Sequence, residues 1–182
     1  TRSAADGKLF TARAVALKEG VGFAVATSGA TLPANASLRL GGDGRAAQLH
    51  SAALTWPQLD YAAIAMARRC RLVLTSPGIF GDGWRLPGMT TDGQLSLPGV
   101  TARVVAASVN RAETISGWDL AARQPKAAQR AAGSASVYWL SDLKATPEAL
   151  GKLVARGLWG EPCEDPQRHA EGFNRLALAA WI

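Results

Sequence analysis

The chain has 182 residues, 48% of them hydrophobic, enough for one well-buried domain and too many for general disorder. Its formal charge is +6 with a pI near 9.9, a balance that suits polyanionic partners and serves solubility equally well. Cys70 and Cys163 stand far apart, with no second cysteine or histidine at ligand spacing. No zinc site is signalled, both cysteines are expected to be reduced and buried, and neither a metal nor a cofactor is expected. No apolar run approaches about eighteen residues and no signal peptide is evident, so the expectation is a cytoplasmic protein that avoids membranes.

In chain order, "KLFTARAVAL" (8–17) and "VGFAVAT" (21–27) alternate apolar and polar positions around Lys18, Glu19 and Gly20, which predicts a β-hairpin. "SLRL" (37–40) and "AAQLHSA" (46–52) read as two more strands. A first helix is expected from Pro57 to Arg68, with Thr55 and Gln58 at capping-box spacing and Leu59, Ala63 and Met66 on its buried face. "RCRLVLT" (69–75), "TARVVAASV" (101–109), "ASVYWL" (135–140) and "NRLALAAWI" (174–182) complete the strands.

The clearest helix runs from Pro147 to Arg156. Thr146 is placed to cap it, Pro147 suits its first turn, Leu150, Leu153 and Val154 form its stripe, and Gly157 ends it. Between 76 and 100, glycines and prolines predict a long loop containing Trp84. A second loop, or a short basic helix, is expected over 120–133. This order of elements suits an α+β fold in which helices cover one side of an antiparallel sheet.

Charge is uneven. Residues 68–85 hold Arg68, Arg69, Arg71 and Arg85 against Asp82, and residues 101–133 hold five basic residues against Glu113 and Asp119. From 141 to 172 acidic residues outnumber basic ones. Arg69 and Arg71 suit either salt bridges or a subunit contact.

Motifs for hydrolases, zinc proteases and nucleotide-phosphate loops are missing. Histidine is the side chain most often used as a general base, which makes His50 a candidate, but a lone histidine on a strand is more often structural. His169 sits among Asp165, Arg168 and Glu171, in a solvated context. The stretch "LGGDGRAAQLH" (40–50) has two readings. Gly41, Gly42 and Gly44 with Arg45 can form a backbone anion site, or a glycine-rich turn helped by Asp43 can simply join two strands.

Four segments occur in an order that resembles a known family. "LGGDGRAA", "RLVLTSPGIFGDGW", "ISGWDLAARQPKAAQRAAGSASVYWL" and "EGFNRLALAAWI" are similar to those of subunit three of the Cmr complex, the type III-B CRISPR effector, and "GKLFTARAVALKEGVGFAV" looks like the same family's entry into its second half. The resemblance implies a RAMP-superfamily protein with a ferredoxin-like (RNA-recognition-motif-like) core, long glycine-rich loops and no catalytic role. It further implies contact with the 5′ handle of the CRISPR RNA, the large polymerase-cyclase-like subunit and the backbone subunit.

Such proteins are usually about twice as long. Residues 1–182 are therefore expected to form a single RAMP-type domain, the C-terminal half of a two-lobed protein and a partner for its N-terminal half; the first residue, Thr1, fits a processed or cut chain.

Carried onto this sequence, the family's glycine-rich loop falls on Gly41, Gly42, Gly44 and Arg45, and its "SGWDL…PK" segment on Trp118, Asp119 and Lys126. Arg45, Arg123, Lys126 and Arg130 would engage phosphates, and Trp118 or Trp84 would stack on a base. Against this, large aromatics are mostly core, so Trp118 is the better candidate for packing, and Asp119 for pairing or capping. Asn174 replaces the second glycine of the family's G-[FY]-G turn. Asparagine tolerates left-handed geometry, so the turn is expected to persist. Two alternatives remain open: a protein adaptor without RNA contact, and a RAMP-type endoribonuclease using His50.

Overall fold

The structure is a computed structural model, and it describes residues 15–27, 29–40, 44–119 and 121–181. Contacts divide the chain into two compact units, Thr1–Trp56 and Pro57–Ile182.

In the first unit, β1 (Asn35–Leu40) and β2 (Arg45–His50) form an antiparallel hairpin with Leu40 opposite Arg45 and Asn35 opposite His50. Gln48 donates to Ser37 Oγ at 2.8 Å across it. The expected hairpin of 8–17 and 21–27 is corrected to its turn alone. Val21 N–H donates to the Lys18 carbonyl at 3.1 Å, but residues 15–18 and 21–27 belong to no strand, and 8–14 lie outside the described residues. Val15, Val21, Phe23 and Val25 are exposed, so the alternating pattern gains no burial to hold a two-stranded ladder.

The second unit begins with α1 (Tyr61–Ala67). Its cap is Asp60, whose Oδ1 accepts the Ala63 N–H at 2.9 Å, not the Thr55 and Gln58 pair expected. The buried face is also displaced. Ile64 enters the core with Leu59, Tyr61 and Ala65 against it, whereas Met66 is 85% exposed.

Next come β3 (Cys70–Leu74), β4 (Gln94–Leu97), β5 (Val100–Ser108), β6 (Glu113–Ile115), β7 (Trp118–Asp119), β8 (Gln124–Pro125), β9 (Gln129–Ala131) and β10 (Val137–Ala145). They are followed by α2 (Pro147–Arg156), α3 (Pro166–Ala170) and β11 (Leu176–Ala180). A five-stranded antiparallel sheet has the order β11-β3-β10-β5-β4. β10 and β11 are thus parallel to each other, joined through α2, with β3 between them.

The core lies between one sheet face and the two longer helices. Leu72, Leu74, Ala102, Tyr138, Leu140, Leu176 and Leu178 meet Ile64 of α1 and Leu150 and Leu153 of α2. Helix α2 forms as its sequence dictates: Thr146 accepts the Ala149 N–H at 3.2 Å, Pro147 opens the first turn, and the Gly157 N–H closes on Leu153. β10 runs beyond the expected strand because a register shift between Ser141 and Lys144, with Asp142 at φ 50, keeps Leu143 in the core.

The long loop expected over 76–100 is broken by β4, which pairs with β5. Gly88 makes this possible, because a Cβ there would stand 2.1 Å from the Ser96 carbonyl oxygen. No helix forms among the described residues of 120–133. Two small ribbons replace it, β6 with β9 and β7 with β8. Alanine propensity yields here to a ladder containing Pro125 and to the Asp119 side chain, which accepts the N–H groups of Ala121 and Ala122 at 2.9 Å each.

Candidate nucleic-acid interface

The β7–β8 ribbon sets Trp118 directly opposite Pro125. Lys126 N–H donates to the Gly117 carbonyl at 2.8 Å, closing the base of the ribbon. At its tip the chain turns through Arg123, which is exposed with φ 53. Trp118 is 56% exposed, which overturns its expected core placement. Beside the ribbon, Arg130 stands exposed on β9, opposite Thr114 of β6. A large aromatic and two guanidinium-bearing residues therefore project from one folded-over segment.

Lys126 is differently placed. Its Nζ meets Glu171 Oε1 at 2.5 Å, and Glu171 Oε2 accepts from Arg168 Nη1 at 2.8 Å. Arg168 is only 5% exposed: its Nε donates to Gln129 Oε1 at 2.9 Å and its guanidinium lies 5.3 Å from the Phe173 ring centre. The Lys126 and Arg168 contacts, Lys126 first, hold the Glu171 carboxyl below the usual carboxylate range. An open hollow of about 290 Å³ sits here, lined in part by Asp119, Lys126, Gln167 and Arg168.

Behind this region Asn174 adopts φ 60, the left-handed turn expected of it. It is 2% exposed, its N–H donates to the Pro77 carbonyl at 3.0 Å, and its Oδ1 accepts the Ile79 N–H at 2.7 Å. The neighbouring cleft, about 440 Å³, has Phe80, Leu86, Trp159 and Asn174 in its wall and Asp82, Glu164 and Asp165 among its charges.

A family model described as CRISPR-associated protein (Cas_Cmr3) matches residues 1–181. The chain belongs to this family. It is thus a Cmr3 subunit of a type III-B CRISPR complex, a complex with other subunits. Searches of curated proteins and of solved structures return no match.

In this Cmr3-family chain the residues singled out in the sequence fall into two sets. Gly44, at φ 63, and Arg45, at the start of β2, lie in the first unit, while Gly41, Gly42 and Asp43 lie outside the described residues. Trp118, Arg123, Lys126 and Arg130 lie in the second unit, and there the ribbon brings Trp118 and Lys126 together. Trp84 is also exposed, and its carbonyl accepts the Tyr138 hydroxyl at 2.6 Å.

His50 is exposed, its Nδ1 3.0 Å from Asn35 Oδ1 across the hairpin. His169, exposed on α3, packs edge-on against Trp159 with ring centres 6.1 Å apart. Cys70 is fully buried, which pushes its thiol up to about 11, whereas Cys163 is half-buried, in place of the full burial expected. Among the described residues no group of three His, Cys, Asp or Glu could hold a metal, and no helix is long and apolar enough to cross a membrane.

Sequence reasoning missed α3 and the buried Arg168. The signal for α3 was present in "EDPQ": Asp165 accepts the Arg168 N–H at 3.0 Å and Pro166 occupies the first helical position. The nearby Glu171, its i+3 ion-pair partner, read as a solvated neighbour, and the Gln129 contact that helps hold Arg168 inside comes from 39 residues away.

Proposed function

We propose that this Cmr3-family chain is a non-catalytic subunit that helps hold the 5′ handle of the CRISPR RNA and docks the large polymerase-cyclase-like subunit and the backbone subunit. The exposed Trp118 on a ribbon with Arg123 at its tip carries this reading, with Arg130 beside it. Single-stranded RNA is gripped by that combination: a π-face for an unstacked base and guanidinium groups for the backbone around it. Gly44 and Arg45 belong to the same activity in the first unit.

The strand order also supports a RAMP-type core. Taking β3, β5, β10 and β11 as strands one to four gives the ferredoxin-like order 4-1-3-2, with β4 added at the edge. The first crossover is a loop in place of a helix. Guide pairing, not this chain, reads the target, and the working compartment is the cytoplasm.

The test is fluorescence anisotropy with a labelled 5′-handle RNA across a salt series. Binding should weaken steeply with salt and should fall in Trp118→Ala and Arg123→Ala. Binding that is indifferent to both substitutions and to salt would count against RNA contact and favour the adaptor reading. No cleavage is expected; a product band from the wild-type chain that disappears in His50→Ala would overturn the non-catalytic assignment.

A further inference from the structure

β11 ends the five-stranded sheet and pairs with β3 alone. In an antiparallel ladder each residue turns its N–H and C=O to the same side, and successive residues alternate. Thr75 N–H donates to the Arg175 carbonyl at 3.0 Å, which sets the phase. Arg175, Ala177 and Ala179 therefore face β3, while Leu176, Leu178 and Ala180 face outward. The Ala180 carbonyl accepts from Arg71 Nε at 3.1 Å and Nη2 at 2.8 Å. The remaining outward groups, both those of Leu176 and Leu178 and the Ala180 N–H, have no hydrogen-bond partner among the described residues.

The opposite edge is closed. Ser96 N–H donates to the Gly88 carbonyl at 3.0 Å and Thr90 N–H to the Gln94 carbonyl at 2.8 Å, so the chain before β4 covers its outer side. β11 is lightly guarded for a sheet edge: "LALAA" holds no charge or proline, its register with β3 is unbroken, and the Arg71 guanidinium covers only the Ala180 carbonyl at its end.

We propose that the outer edge of β11 receives an extended strand from another protein subunit of the complex, one with Asp or Glu beside its apolar residues. A row of alternating backbone donors and acceptors is met by another polypeptide strand, in the manner of β-augmentation, and not by an RNA backbone, whose phosphate oxygens only accept and whose single donor, the 2′-hydroxyl, does not repeat with the alternation of a strand. Charge decides among polypeptides. Arg69, Arg71 and Arg175 flank the edge, Arg69 lying 5.8 Å over the Trp181 ring, and residues 69–75 and 174–180 contain no Asp or Glu. A second copy of this chain would bring like charges together, whereas an acidic segment meets complementary ones.

This site uses none of the residues assigned to RNA. Its source of partners is the set of other subunits that membership in the family provides.

Amide hydrogen exchange, read residue by residue, tests it on the chain alone and in the complex reconstituted from the other protein subunits, with and without guide RNA. In the isolated chain Leu176, Leu178 and Ala180 should exchange fast while Ala177 and Ala179 are protected. In the complex the three outward amides should slow by about tenfold or more, the equivalent of about one added hydrogen bond, whether or not RNA is present. Fast exchange in the complex overturns the proposal. So does protection already present in the dilute isolated chain, or protection that appears on concentrating that chain alone.

Ala180→Pro deletes one outward donor and leaves the Ala180 carbonyl and the ladder to β3 in place. It should weaken association with the partner subunits about tenfold, with melting temperature and RNA affinity unchanged. Unchanged assembly by a folded variant overturns the proposal, and if that variant does not fold the exchange measurement on the native chain decides.

Discussion

Asn174 Oδ1 accepts the backbone N–H of Ile79 at 2.7 Å, joining segments 95 positions apart in the chain. Asn174 therefore does two things at once: it holds a left-handed backbone at φ 60 and fixes the loop after β3. Asn174→Ala removes the acceptor and leaves a Cβ in that geometry without a local polar contact, and should cost about 3 kcal/mol. Asn174→Gly loses the same bond but relaxes the backbone, and should be milder by about 1 kcal/mol. Urea unfolding of both variants checks the difference; equal losses would remove the backbone part of the account.

The ribbon residues should separate in a salt series. Arg123→Ala and Arg130→Ala are each expected to reduce the log–log salt slope of single-stranded RNA binding by about 0.7. Trp118→Ala should weaken binding by about 1–3 kcal/mol with little change of slope, and Trp118→Phe should keep most of the affinity. Lys126→Ala should do less than Arg123→Ala, because Glu171 already balances its charge at 2.5 Å. Anisotropy titrations at four salt concentrations give all of these quantities, and a Lys126→Ala slope change as large as that of Arg123→Ala would contradict the ranking.

Glu171 links folding to pH. Its contacts with Lys126 and Arg168 favour the ionised form, so the folded chain keeps this carboxylate charged to lower pH than the unfolded chain does. The stability it contributes is complete above the unfolded carboxylate range, near ~4.3, and is lost as the pH falls through the lower folded value. The side chain is 37% exposed, so solvent screens the pair and the gain is about 1 kcal/mol. Glu171→Gln should lower the melting temperature by about 2–4 °C at pH 7, with the gap closing in acid. A gap that stays constant from pH 7 to pH 3 would refute the linkage.

The two thiols should differ sharply. Burial raises the Cys70 thiol to about 11, so it supplies almost no thiolate at pH 8, while Cys163 is half-buried. A colorimetric thiol reagent should titrate Cys163 in the native chain and Cys70 only after denaturant is added. Both reacting at one rate in native buffer would show that the core around Leu72 and Tyr138 opens freely.

Much of the second unit was legible because its apolar spacing coincides with its burial. β3, β5, β10 and β11 place Leu72, Ala102, Tyr138 and Leu178 where period-two patterning predicts, and Thr146, Pro147 and Gly157 bound α2. β6 to β9 were not legible, since strands of two or three residues have no period to read. The start of α1 went to Asp60 because a cap beside the helix acts directly, whatever motif stands upstream. At the candidate site, residue type pointed to Trp118 and the basic residues, but exposure is a tertiary property. The same holds for the partner of Lys126, which lies 45 residues further on.

β3 sits between β10 and β11, and Leu72 pairs with Leu178. During synthesis, at roughly 5–20 residues per second, β3 leaves the ribosome about 5–20 seconds before the strand that completes its hydrogen bonding. For that interval a run of cysteine, leucine and valine waits with one side unpaired. Such non-local closure makes for slow folding, so the sheet can close on this side only after β11 has been made.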